Sequence, residues 1–240
     1  MHDRHCITRP SQPVDIVLWG DSHANQWFPL MRAASRELDM NVEEFTRAAC
    51  PPLLGVMPFL EGKIDHECEH FNQAAVTEIE RLARSGLKGV VIAARWPAYL
   101  GRPSPDGTLL ARLSYGDVPL DAVESEDALH LGLANVLDRP ERAGLRVVVV
   151  GATPEFQYSV PQCLLRRPLQ ACAMPRAAVD ARRGRSMHVV ADTVASNGAH
   201  MFDPLRFFCD DRFCYPTHGK TVMFSDPQHL TSAGSPLLEP

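Results

Sequence analysis

Two short blocks at opposite ends of the chain carry residue types that can do chemistry together. The first is Gly20-Asp21-Ser22-His23 and the second is Ser225-Asp226-Pro227-Gln228-His229-Leu230. A serine hydroxyl becomes a useful nucleophile when a base takes its proton, and an imidazole base works better when a carboxylate fixes its tautomer. Asp226 and His229 are three residues apart, so one turn can hold both. Ser22, His229 and Asp226 are therefore the candidate catalytic set, and the chemistry they suit is acyl transfer through a serine ester. Ser22 has a second reading, as the N-cap of a following helix, and the distant Asp-x-x-His block favours the nucleophile. Asp21, adjacent to Ser22, is read as a brace for the turn. His23 is read as a structural or rim residue rather than a competing base.

These side chains need elements to position them. The apolar run Val14-Asp15-Ile16-Val17-Leu18-Trp19 predicts a strand that stops at Gly20 and presents Ser22 at the start of a helix. Trp27, Leu30, Met31, Ala34 and Leu38 recur at helical spacing, so that helix is expected over about 25–38. A strand is expected at 41–46, and then loop from Cys50 to Cys68, where Pro51, Pro52, Gly55, Pro58 and Gly62 interrupt regular structure. A helix over 71–84 should end at Gly86. The runs 90–94 and 147–151 read as strands buried on both faces. Between them lie a variable stretch over 100–123, with an excursion around 101–107, and a helix over 126–142. Loop is expected over 154–174, a helix over 176–196 and a short strand over 200–203. Strands alternating with helices imply a mainly parallel sheet with right-handed crossovers, and ligands of such sheets bind at the carboxyl ends of the strands. Residues 1–12 read as a linker and 13–240 as a single catalytic domain.

The two blocks resemble the SGNH (GDSL-like) superfamily of esterases and acyltransferases. In that family a Gly-Asp-Ser block follows the first strand and an Asp-x-x-His block lies near the C-terminus. Gly-Asp-Ser-His, a late cysteine pair and the stretch Asp226 to Gly234 narrow the resemblance to the SGNH domain fused behind membrane acyltransferases of family 3. That resemblance implies a three-layer α/β/α sandwich, flavodoxin-like in outline. It also implies O-acetylation of an envelope polysaccharide such as lipopolysaccharide, with an acetyl donor, a polysaccharide acceptor and a membrane acyltransferase domain N-terminal to this region. No metal or diffusible cofactor is called for. The same residues would serve a carbohydrate acetylesterase, and a glycan-docking domain without catalysis is a further alternative. Family members complete the oxyanion hole with a glycine from a second block and an asparagine from a third. Here the position after the third strand reads Ala94-Arg95-Trp96-Pro97-Ala98-Tyr99, with no asparagine. The Ser22 N–H is the first expected donor. Gly20, Asn25, Gly55 and Trp96 are further candidates for oxyanion or substrate contacts, with a residue near Ala48 as the alternative to Gly55. Asn25 reads equally as a solvent-facing residue and Trp96 as a core residue.

Composition limits the classes. With 240 residues and 45% hydrophobic content the chain can build a substantial core. A net charge of −5 supplies no basic field for nucleic acid or anionic lipid. No apolar stretch approaches the roughly 20 residues that span a bilayer, and residues 1–6 show no signal-peptide h-region. If the resemblance holds, export and tethering to the inner membrane fall to the N-terminal domain. Of seven cysteines, Cys50, Cys68, Cys163, Cys172, Cys209 and Cys214 suit three disulfides and an oxidising compartment, the periplasm, with Cys6 left over. The sequence does not fix the pairing. Cys209, Cys214 and nearby His218 allow a zinc reading, which no Cys-x2-Cys pair supports.

Overall fold

A computed structural model of the chain describes residues 4–101 and 111–238. Its centre is a mixed, mostly parallel sheet of six strands. In chain order these are β1 (Arg4–Ile7), β2 (Ile16–Gly20), β3 (Val42–Thr46), β4 (Gly89–Ala93), β5 (Arg146–Val150) and β6 (His200–Phe202). Their spatial order is β1-β3-β2-β4-β5-β6. Strands β2 to β6 run parallel, and β1 pairs antiparallel with β3 at the edge. Thus Arg4–Ile7, inside the segment read as a linker, is tied to the sheet by backbone pairing.

Register sets the site. Gly20 of β2 lies opposite Thr46 of β3 and Ala93 of β4, and Ala93 lies opposite Val150 of β5. Four strands therefore end on one line, and the residues that follow them share one rim. Gly20 is required at its place in that line. It has φ +154°, and a Cβ there would fall 1.8 Å from the Ala93 carbonyl oxygen.

The sheet is buried on both faces, so alternate residues of β2 enter different apolar clusters. Val17 and Trp19 join one with Ile79, Leu82, Leu129 and Leu133. Leu18 joins another with Trp27, Phe156, Phe224 and Leu230. Trp19, Leu129 and Leu133 are fully buried. Truncating one such leucine to alanine costs about 2–5 kcal/mol.

The helices are α1 (Ser22–Asn25), α2 (Phe28–Glu37), α3 (His66–Ala83), α4 (Glu124–Arg142), α5 (Val160–Arg166) and α6 (Arg176–Ser196). Helix α3 shows why they form. Asp65 accepts from the Cys68 N–H as N-cap, Glu67 and Glu69 face the positive end of the helix, and Gly86 takes the left-handed φ of +97° just past the other end. The expected strands, and the helix over 176–196, stand within a residue or two of their expected places.

Several expectations are corrected. The helix after Ser22 is two helices, broken at Gln26 and Trp27. Pro29 has no N–H with which to continue the α1 ladder, but it suits the first turn of α2. The 50–68 loop contains the hairpin Met57–Leu60/Lys63–Ile64. Glu61 and Gly62, at φ +50° and +79°, form its two-residue turn, so Gly62 is a hairpin residue rather than a breaker. That hairpin pairs with Arg112–Tyr115, which pairs with Val118–Pro119 in a second, four-stranded sheet. The excursion expected around 101–107 lies, apart from Gly101, outside the described residues. The 154–174 loop contains α5, where Pro161 sits in the first turn.

Three disulfides join Cys50–Cys68, Cys163–Cys172 and Cys209–Cys214, and Cys6 is a free, exposed thiol. Bonded to each other, Cys209 and Cys214 have no thiolate to offer zinc. Among the described residues no helix is long and apolar enough to cross a membrane, and no cluster suited to a metal ion occurs.

Candidate active site

Asp21 fixes the turn that carries Ser22. It is 1% exposed. Its Oδ1 accepts from the His23 N–H at 2.7 Å. Its Oδ2 accepts from the Arg95 N–H at 2.9 Å and from the Tyr99 hydroxyl at 2.5 Å. One carboxylate thus ties the end of β2 to the end of β4, the brace expected of it. Burial, then the charge and hydrogen bond of Asp21, push the Tyr99 hydroxyl well above the usual tyrosine range, so it stays a donor.

The tail brings in the other half. Asp226 Oδ1 accepts from the N–H groups of Gln228 and His229, both at 2.7 Å. Its Oδ2 accepts from His229 Nδ1 at 2.7 Å. His229 Nε2 then faces Ser22 Oγ at 2.9 Å and accepts its hydrogen. Burial pushes the Asp226 carboxyl up, but the bonds from the His229 ring and from the two backbone N–H groups outweigh it and hold the pKa at about 2. The structure therefore brings Ser22, His229 and Asp226 into one hydrogen-bonded line.

His23 is committed to the tail instead. It is 2% exposed, and its Nε2 donates to Gln228 Oε1 at 2.5 Å. Burial lowers its pKa to about 4. Gln26 holds the same tail, accepting from the Leu230 N–H at 2.8 Å.

Ser22 opens on two cavities. One, of about 560 Å³, lies on the α2 side and is bordered by Asn25, Gln26, Phe28, Glu44 and His229. The other, of about 260 Å³, is bordered by Ala48, Ala49, Arg95, Tyr99 and Gln228. Ala49 has φ +58°, which costs a non-glycine residue about 1–2 kcal/mol. Arg95 reaches this wall from a buried network in which Glu155 accepts from Arg95 Nε and Arg182 Nε, each at 2.8 Å. Burial raises the Glu155 pKa, and the two guanidiniums, Arg95 first, outweigh it and bring the value below the usual range.

The remaining candidates are not all brought to the site. Asn25 borders the larger cavity, but its Nδ2 donates to Glu44 at 2.5 Å. Gly20 borders neither cavity and serves the packing of β2 on β4. Gly55 borders neither, because the preceding Leu54 is bonded to Gly132 and Asn135 of α4. Trp96 is fully buried and donates to the Val150 carbonyl at 2.8 Å, which makes it a core residue. The helix directly behind Ser22 is only the four residues of α1, so little helix dipole acts there. Sequence reasoning missed Arg95, Tyr99, Glu44, Gln26 and Gln228. Arg95 had a usable signal, since it follows a strand end on the rim.

A family model described as an SGNH domain fused to AT3 domains matches residues 1–240, and the chain belongs to that family. No curated protein matches the chain. Among solved structures, the periplasmic domain of a lipopolysaccharide acetyltransferase from Salmonella ser. Paratyphi A is 19% identical. The match covers 95% of this chain and 81% of that one, with a TM-score of 0.64. A Slackia heliotrinireducens protein described as an SGNH hydrolase is 16% identical, with 95% of each chain covered and a TM-score of 0.52. At these identities the likeness establishes an SGNH hydrolase-like α/β fold.

Proposed function

We propose that the chain is a serine-dependent O-acyltransferase, moving an acetyl group to a sugar hydroxyl of a bacterial envelope polysaccharide. The observation that carries this reading is the line Ser22 Oγ–His229 Nε2–His229 Nδ1–Asp226 Oδ2, at 2.9 and 2.7 Å. His229 takes the Ser22 proton as Oγ forms a bond to the acyl carbonyl carbon. The donor oxygen leaves with the proton returned by His229. An acceptor hydroxyl then gives its proton to His229 and attacks the serine ester, and His229 reprotonates Ser22 as the acetyl leaves. Asp226 keeps the imidazole in the required tautomer and stabilises its cation.

The Ser22 N–H makes no hydrogen bond among the described residues and is the first oxyanion donor. The Ala49 N–H, in the left-handed turn beside it, is the second. Ala49 is a residue near Ala48, the alternative that the sequence offered to Gly55. We read the fold as a three-layer α/β/α sandwich, because the two faces of β2 feed separate clusters. The disulfides and the family's fusion to AT3 domains support a periplasmic domain tethered to the inner membrane by a membrane acyltransferase partner.

The test is acetate release from an aryl acetate by wild type and Ser22→Ala, followed by addition of glycan acceptors. Release that depends on Ser22 and is diverted to acetylated sugar is the expected outcome. Equal release by both proteins removes the serine ester from the account.

A further inference from the structure

The larger cavity has a wall that the acyl chemistry leaves unused. Glu44 lies in the middle of β3, is 1% exposed and borders this cavity with Ser22 and His229. Both hydrogen bonds it accepts fall on Oε1, from Asn25 Nδ2 at 2.5 Å and from Thr46 Oγ1 at 2.7 Å. Oε2 is left without a partner among the described residues. At a strand position flanked by Leu18 and Cys6, Asn25 and Thr46 compensate the burial of one carboxylate oxygen, and Oε2 has no such donor. On the same cavity stands Gln26, 7% exposed. Its Oε1 is committed to the Leu230 N–H, and its Nε2 is buried without a partner. One wall therefore holds an unused acceptor, Glu44 Oε2, with the buried Gln26 amide beside it.

A sugar hydroxyl carries a hydrogen to donate, so it matches the unused carboxylate oxygen. Phe28 and Pro29 border the same cavity and offer apolar faces for the C–H side of a ring. We propose that this cavity is the acceptor subsite, with Glu44 accepting from a hydroxyl of the sugar to be acylated. The inference rests on the acyl-transfer reading. Asn25 and Thr46 are positioning residues here, because they orient Glu44 through Oε1. The smaller cavity, on the other side of Ser22, is left to the acyl donor.

The experiment titrates methyl α-glucoside, methyl α-galactoside and methyl α-mannoside into Ser22→Ala protein, with binding read by ligand-observed NMR. At least one should bind, and adding Glu44→Gln should weaken it about tenfold, the effect of losing one hydrogen bond to a charged group. If Glu44→Gln fails to fold, as thermal melting would show, Glu44→Asp replaces it and should also weaken binding. No binding of any glycoside, or equal affinity in a folded Glu44 variant, overturns the subsite. Ester turnover by wild type, measured alongside without sugar, judges the acyl-transfer reading separately. Ser22-dependent turnover with Glu44-independent glycoside binding would sink the subsite and leave that reading standing.

Discussion

The two halves of the site are held by different physics. Ser22 lies two residues beyond Gly20, which stands in a register line shared by β2, β3, β4 and β5, and Asp21 bolts its turn to the end of β4 through buried bonds. Asp226 and His229 sit in a tail without long strands, between the buried Phe224 and Leu230 and tied across by a few individual bonds. Gln26 accepts from Leu230, His23 donates to Gln228, and the Phe156 N–H donates to the Pro227 carbonyl. The sheet half is fixed many times over, so damage there should appear as lost stability. The tail half depends on separate contacts, so damage there should appear as lost rate with the fold intact.

The largest effects should come from removing either end of the line. Ser22→Ala and His229→Ala should each lower turnover by roughly 10⁶-fold, and the double variant should lose little more, because the groups act as a unit. Steady-state kinetics on the three proteins checks this. Additive losses would separate the two residues. Asp226→Asn should fold normally and lose roughly up to 10⁴-fold in kcat, through the wrong tautomer of His229. Unchanged activity in that variant would remove Asp226 from the set.

Those three residues were legible in the sequence because strand, turn and Asp-x-x-His spacing are local signals. The parallel strands were legible for the same reason, as β-branched runs such as Val147–Val150 mark themselves. Gly55 and a residue near Ala48 could not be told apart, because which turn meets Ser22 depends on the register of β3 rather than on where glycines fall. Trp96 was ambiguous because a rim position and a core position differ only by the direction of one side chain. Glu44 and Gln26 were invisible, since a buried acid in a strand gains meaning from what faces it across the cavity.

The contrast sharpens with one variant from each half. Gln228→Ala frees the tail from His23 and should lower turnover by roughly 10- to 100-fold, with little change in Tm, because small misplacements of a catalytic group are costly. Asp21→Asn should instead lower Tm, since it disturbs a buried carboxylate with three bonds. If both variants lose Tm equally, the tail is part of the same rigid unit as the sheet.

Acid should expose His23. Burial lowers its pKa from the ordinary 6.5 to about 4, so the unfolded chain takes up this proton first as pH falls. Its contribution is fully present above about 6.5 and is lost as pH drops to about 4, an order-of-magnitude change of about 3 kcal/mol. Denaturant unfolding of wild type across that range should show the decline, and His23→Gln should flatten it. A smaller effect belongs to the cross-link Cys50–Cys68. Its sequence separation of 18 implies about 3 kcal/mol from chain entropy, before any part of that is offset by the reduced state. Reduction should lower Tm and raise the intact mass by about six hydrogens if all three bridges open.

The central claim is that His229, oriented by Asp226, makes Ser22 the nucleophile. A fluorophosphonate probe followed by peptide mass mapping tests it most directly. The account predicts a single phosphonylated residue, Ser22, in the wild type, with labelling slowed strongly in Asp226→Asn and abolished in His229→Ala. Label on another serine while Ser22 stays unmodified, or equal labelling of Ser22 with and without His229, would contradict it.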